Sequence, residues 1–396
     1  MNPSKKPNLL VAKGSFKAMG GAERDLIRTL PALKQSFDII VATIHDTPEL
    51  SEICQREGIE LLQPAEKWNL PKGALSTILD RGTDSASLAW KTIPNIQEHL
   101  EECDAIHLVS GDGSLPLINH IPEEKLVHLY LLEPHRGLYE DTLHRRIDGS
   151  PKQNIFITNL LLSRARKRDK NLLNSLIRRK NSKFSGNSKF STDRAKTVYG
   201  IDAEILWPCV DISEFPLDDN NDNQNPYPYK DDYVVSIGRA SWAKGTWETV
   251  AMLEGTGLSL AHVGGGESKS ISKLVNHAKS KDVGLWISPK ISSPDLVSLM
   301  KGARAIVSMA HSESFGLSPI EAFAVGAPAV FVDEGGFRET IVDGKNGRLI
   351  HRNDINSWHN ALNEVKKDDI RNKWKEAHSD FKVNVKEVID TISKSL

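Results

Sequence analysis

The chain has 396 residues, with 51 Lys plus Arg against 52 Asp plus Glu, and 39% hydrophobic and 26% charged residues. Such proportions exclude a disordered, collagen-like or long coiled-coil chain and fit two or three globular domains. A net charge near zero gives no reason to expect nucleic acid or a bulk acidic partner.

Cys54, Cys103 and Cys209 are far apart and show no metal-ligand spacing, which argues against a disulfide framework or a zinc site and fits a reducing cytoplasm. The apolar run from Leu9 to Ala12 is too short for a signal-peptide core. No stretch approaches the roughly 20 apolar residues that span a bilayer.

In chain order, NLLVAK, a glycine-containing loop, AERDLIRTLPAL and FDIIVATI read as strand, helix and parallel strand. AIHLVSG (105–111), KLVHLYLLE (125–133) and IFITN (155–159) continue the strand theme. The grammar restarts at YVVSIGR (233–239) and runs through LSLAHVGGG, VGLWIS, ARAIVSMA and PAVFVDEGG. The expected class is α/β, with parallel sheets covered on both faces.

Between the halves, 216–232 is rich in Asn, Asp and Pro and reads as a linker or exposed loop. It lacks the central glycine and terminal glutamate of a calcium loop. The predicted division is 1–215, linker 216–232, 233–380, and a terminal helix over 381–396. That helix carries Phe381, Val385, Val388, Ile389, Ile392 and Leu396 on one face.

Three stretches carry possible chemistry. Gly20 and Gly21 lie between a strand and a helix start, either as a tight turn or as an anion site at a positive helix end. In SIGRASWAKG, Arg239 and Lys244 are either solvated charges or a clamp for a diphosphate. In HSESFGLSPIEAFAVGAP, Ser318, Pro319 and Glu321 have the spacing of a capping box. A capping box leaves Glu313 and Gly316 unexplained, and loops at the carboxyl ends of parallel strands are where open α/β sheets bind ligands.

ESFGLSPIE is an E-x7-E element. Together with GGAE, GRASWAKG, HVGGGES, DEGGFRETIVDGKNGRL and the middle stretch 186–215, it makes the chain resemble the retaining GT-B glycosyltransferases of family 4. The resemblance implies two Rossmann-like domains facing across a cleft, a last helix crossing back to the first, and a nucleotide sugar held mainly by the C-terminal domain. It also implies roles by motif. Arg239 and Lys244 would neutralise the donor diphosphate, Gly20 and Gly21 would face its phosphate and sugar, and Glu313 would contact the sugar hydroxyls. Phe315, Gly316 and Leu317 would offer backbone N–H groups, Glu321 would bind the ribose, and 289–291 would meet the base.

Transfer would retain anomeric configuration without a protein nucleophile. It would need no metal, since no DxD motif stands at a suitable strand end. Many relatives carry a histidine where this chain has Leu132 or Glu133, and His135 lies close by. His135, Arg136 and Tyr139 are the acceptor-side candidates, and His107 reads as a core or cleft-edge residue.

Residues 160–196 hold twelve Lys or Arg against two Asp. Leu161, Ala165, Leu172 and Leu176 share a helical face there, so LLLSRARKRDKNLLNSLIRRK reads as a basic amphipathic helix or pair of helices. Its positive charge faces an anionic membrane surface, a soluble anionic acceptor, or only solvent. The expected activity is hexose transfer from a UDP- or GDP-linked sugar to a hydroxyl of a glycan or lipid-linked acceptor, in the cytoplasm or at the inner face of its membrane. The competing reading is a catalytically silent GT-B partner subunit of another glycosyltransferase.

Overall fold

The first strand, β1 (Asn8–Lys13), is buried almost throughout, and its side chains alternate between two cores. Leu10 and Ala12 join Trp90, Ile106, Leu108, Leu173 and Leu176 on one face of the sheet, while Leu9 and Val11 join Leu26, Leu30, Leu33 and Leu50 on the other. The period of two, apolar on both sides, makes NLLVAK a central parallel strand rather than a half-exposed one. In this computed structural model the described residues are 6–71, 73–208 and 224–366, with isolated positions 373, 390, 393 and 394.

The chain forms two compact units. Among the described residues, 6–139 and 154–208 make the first, and 140–153 with 224–366 make the second. The division is therefore not one cut in the sequence. In the second unit, Asp148 of the 140–153 segment bonds Lys273 at 2.7 Å. Apart from positions 390, 393 and 394, the expected terminal helix over 381–396 lies outside the described residues, as do residues 216–223 of the expected linker and Cys209.

The first unit has seven parallel strands. After β1 come β2 (Asp38–Ala42), β3 (Glu60–Leu62), β4 (Ala105–Val109), β5 (Leu126–Tyr130), β6 (Ser182–Gly186) and β7 (Glu204–Ile205), arranged β3-β2-β1-β4-β5-β6-β7. Leu10 stands between Ile40 and Ile106 in register. The second unit has β8 (Tyr233–Ile237), β9 (Ser259–Val263), β10 (Leu285–Ile287), β11 (Ile306–Ser308), β12 (Ala329–Val332) and β13 (Arg348–Ile350), arranged β10-β9-β8-β11-β12-β13. In each sheet the winding reverses beside the first strand, between β1 and β4 and between β8 and β11. The crevice at the carboxyl ends of such a pair is the ligand position of open α/β sheets.

Two local expectations are corrected. IFITN is not a strand: Ile155–Ile177 is one helix, because the Asn154 side chain accepts the Phe156 N–H and caps its first turn. Ile155, Phe156 and Ile157 are left exposed, and the inward face is Thr158, Leu162, Ala165, Asp169, Leu173 and Leu176. The helix Ser318–Ala324 starts one residue earlier than a capping box requires. Leu317 occupies the cap position without a side-chain bond, so Glu321 falls one place beyond the box.

Candidate functional site

In the second unit, the loops after β8 and β11 meet at the reversal point. β8 leads into the short turn Trp242–Lys244 and then Gly245, whose φ is +62°. A Cβ on Gly245 would lie 1.9 Å from the Met309 carbonyl oxygen, so only glycine lets the two loops touch. Their contact sets Lys244 Nζ 2.6 Å from Glu313 Oε2. Lys244 keeps 37% of its side-chain surface and Glu313 keeps 18%, so the pair is reachable from outside. Arg239 is exposed, Phe315 is buried, and Gly316 and Leu317 are half-buried in the same loop as Glu313. Glu321 is 4% exposed at the start of its helix. Pro289 and Lys290 are exposed after β10.

A second tier of charge braces the Glu313 loop. Arg352 donates to the Met309 carbonyl at 2.7 Å and pairs with Glu334 at 2.8 Å and Glu248 at 3.1 Å. Glu248 also bonds His311 Nε2 at 2.7 Å, and the His311 ring stacks on Trp242. Burial opposes ionisation of Glu334, but the Arg352 guanidinium outweighs it and holds the carboxyl below its ordinary range. Gly336 N–H donates to the Glu313 carbonyl at 2.8 Å, tying the loop to the segment after β12. None of Arg352, Glu248 and His311 stood out in the sequence. Charged residues scattered over three segments give no local pattern.

In the first unit, the β1 loop meets the β4 loop in the same manner, and a Cβ on Gly14 would lie 2.3 Å from the Asp112 carbonyl. Lys13, at the end of β1, is 1% exposed and reaches Glu23 at 3.1 Å and the Ser110 carbonyl at 3.0 Å. The other Glu23 oxygen accepts the Gly20 N–H at 2.7 Å. The glycine loop is thus held by a buried ion pair, and Gly20's own N–H is committed to Glu23. Gly20 is the N-cap of the helix Gly21–Ser36.

A pocket of about 250 Å³ opens at the carboxyl edge of this first sheet, lined by Gly111–Gly113 after β4 and by His135 after β5. His135 Nε2 is 3.8 Å from Asp112 Oδ1. Desolvation works against a proton on His135, but Asp112 and then Asp169 more than offset it, so its pKa is raised. The neighbouring His135 in turn holds Asp112 below the ordinary carboxylate range.

Of the three acceptor-side candidates, His135 alone lines the pocket. Tyr139 is half-buried and donates to Asp169 Oδ2 at 2.8 Å, beside a second donor, Tyr199, at 2.7 Å. Arg136 is half-buried on the short helix Arg136–Tyr139. His107 is a core residue, stacked on His128 with 3.0 Å between their Nδ1 atoms. Among the described residues, no group of His, Cys, Asp or Glu is arranged to hold a metal ion.

Residues 218–381 match the profile of the family "Glycosyl transferases group 1". The chain is 25% identical over 198 residues to the Neurospora crassa alpha-1,3/1,6-mannosyltransferase alg-2, covering 41% of this chain and 42% of that one. Its match thus spans about two fifths of that relative. Sucrose-phosphate synthase from Thermosynechococcus elongatus superposes with TM-score 0.69 at 16% identity, over 98% of each chain. Anabaena HepE, in complex with UDP-glucose, gives TM-score 0.62 at 16% identity, also over 98% of each. The chain has the fold of the GT-B glycosyltransferases, and its residues 218–381 are similar to the group 1 glycosyltransferases.

Proposed function

We propose that the protein is a retaining glycosyltransferase of family 4 that moves a hexose from a nucleoside-diphosphate sugar to a hydroxyl of a glycan or lipid-linked acceptor. The observation that carries this reading is the Lys244–Glu313 pair at the winding reversal of the second sheet, inside the residues that match the family. Relatives support the donor class: Anabaena HepE binds UDP-glucose.

In this reading Arg239 and Lys244 hold the diphosphate. When the bond between the sugar C1 and the phosphate oxygen breaks, the leaving group gains negative charge, which the two fixed cations stabilise more in the transition state than in the ground state. Because they supply that charge, the proposed transfer needs no metal. Glu313 orients Lys244 and accepts from sugar hydroxyls, with the 315–317 backbone beside it. Glu321 accepts from the ribose, and 289–291 meets the base. On the same face, the acceptor hydroxyl oxygen bonds to C1 while its proton passes to a donor phosphate oxygen. His135 and Asp112 receive the acceptor in the first unit.

The Ile155–Ile177 helix supports peripheral membrane contact at the cytoplasmic face. Phe156 and Leu160 are 80% and 74% exposed, and Arg164, Lys167 and Lys170 follow them in exposed positions. Among the described residues, no helix is long and apolar enough to cross a membrane. The test of the whole reading is incubation of the protein with UDP- and GDP-hexoses and alkyl or prenyl glycoside acceptors. Product of unchanged anomeric configuration supports it, and an inverted product refutes the retaining assignment.

A further inference from the structure

The first-unit pocket is unusually apolar for a site meant to read sugar hydroxyls. Trp68, Leu70, Leu115, Leu138, Leu162 and Ala165 are part of its mainly apolar wall. Its carboxylates are largely committed to the protein. Asp169 Oδ2 accepts from two tyrosines. Asp80 Oδ1 accepts from Thr83 Oγ1 at 3.1 Å, and its buried Oδ2 makes no hydrogen bond but stands 3.4 Å from the Arg168 guanidinium. The Trp68 indole N–H is spent on Ser85 at 2.9 Å. Among the described lining residues, Ser76 and Thr83 are half-buried, whereas the His135 and Asp112 side chains are 48% and 60% exposed. A ligand fitting this wall has one polar end and an apolar remainder, since any further hydroxyl pushed against the leucines would lose its water without gaining a partner.

The two helices that wall the pocket extend the same character outward. Ala74–Ile78, which contributes Ser76 to the lining, packs against Ile155–Ile177, which contributes Leu162 and Ala165. Both carry exposed apolar side chains, Leu75 on the first and Phe156, Ile157 and Leu160 on the second. The exposed cations Arg164, Lys167 and Lys170 lie on the second helix among these residues. Apolar wall, apolar rim and a neighbouring positive charge match one ligand chemistry: an alkyl or isoprenoid chain carried by a lipid with an anionic linkage or anionic neighbours.

We infer that the pocket takes the first part of the acceptor's hydrocarbon chain, with the acceptor's polar end at His135 and Asp112, so that the acceptor is an amphiphile recognised by its tail as well as its head. This inference rests on the reading of the first unit as the acceptor side. It names the acceptor class of that site.

The test is a series of n-alkyl β-D-glucosides from methyl to octyl, each below its micellar concentration, titrated into the full-length protein. Each methylene buried should raise affinity roughly threefold to fourfold. Ala165→Phe fills the pocket and should abolish the dependence on chain length. A brominated octyl glucoside should quench a tryptophan signal in the wild type that is missing in Trp68→Phe. Affinity independent of chain length overturns the inference. So does a chain dependence that survives Ala165→Phe and is lost in Phe156→Ser/Leu160→Ser, because the chain would then lie on the outer surface. Nucleotide binding, measured in the same samples, separates the two claims. Nucleotide binding with no chain dependence sinks the amphiphile and leaves the transferase reading standing, whereas chain dependence without nucleotide binding does the reverse. Should Ala165→Phe fail to fold, Leu115→Asp, at a half-buried wall position, carries the same expectation, and the bromine quench decides on the wild type.

Discussion

Lys244 Nζ stands 2.6 Å from Glu313 Oε2, although 69 residues separate them in sequence. The bond joins the loops after the two strands between which the second sheet reverses its winding. Removing the cation should therefore harm the leaving-group step more than the fold. Lys244→Ala should lower kcat/KM by roughly a hundredfold to a thousandfold, the effect of deleting one preorganised charge stabiliser. Thermal unfolding should be nearly unchanged, since the pair is partly exposed. Unaltered steady-state kinetics would take Lys244 out of the reaction.

Glu321 is not the capping residue that its spacing suggests, and it is 4% exposed at the start of its helix. Glu321→Gln preserves shape and removes the charge. Nucleoside-diphosphate affinity, measured by calorimetry, should fall roughly tenfold to a hundredfold, as for a hydrogen bond to a charged group. An unchanged dissociation constant would separate Glu321 from the ribose.

Much of this arrangement was legible in the sequence. Val- and Ile-rich runs marked most strands, and ESFGLSPIE together with SIGRASWAKG picked out the two second-unit loops that meet at Lys244 and Glu313. IFITN was misread because a five-residue apolar run has no period that separates strand from helix. The deciding facts were the Asn154 cap and the length of the helix behind it. The Lys13–Glu23 pair was hidden because a lysine ending an apolar strand looks like a solvated boundary, whereas it is 1% exposed. Asp112 became meaningful only when the sheet placed it beside His135. The domain reading from sequence order did not foresee 140–153 packing with the second unit, since that segment has no composition of its own.

Gly245 tests the contact between the two second-unit loops. Gly245→Ala needs both a left-handed alanine and a displaced Met309 carbonyl. It should cost more than about 4 kcal/mol and leave the protein insoluble or without nucleotide binding. Gly255, with φ +78° and nothing near its absent Cβ, is the control. Its alanine variant should cost only about 1–2 kcal/mol. Equal urea midpoints for the two variants would show that the loops do not rely on their close approach.

Buried histidines set a pH dependence. Burial pushes His128 and His262 down to about 4, and His107 is lowered too, by burial and by His128. Unfolded histidines take up protons near pH 6.5, whereas native His128 and His262 do so only near pH 4. Their contribution is therefore complete above pH 6.5 and is lost as pH falls through that window. At pH 5 each of His128 and His262 should cost about 2 kcal/mol relative to pH 7.5. Urea unfolding at the two pH values measures this, and identical midpoints would contradict the assignment. His128→Asn should flatten the slope.

Phe156 and Leu160 are so exposed that replacing both with Ser should leave the fold intact. Cosedimentation with vesicles rich in anionic lipid should fall at least fivefold in that double variant and weaken in the wild type as salt is raised. Equal partition of the variant and the wild type would remove this helix from membrane contact.

The most direct measurement is thermal unfolding of the purified protein with UDP, GDP, ADP or CMP and their sugar conjugates. A ligand at 100 times its dissociation constant adds about 2.7 kcal/mol. One nucleoside diphosphate and its sugar conjugate should stabilise the protein selectively, and the shift should disappear in Arg239→Ala/Lys244→Ala. No shift with any of them, in protein that is folded, would contradict a donor site at Lys244 and Glu313 and favour a catalytically silent subunit.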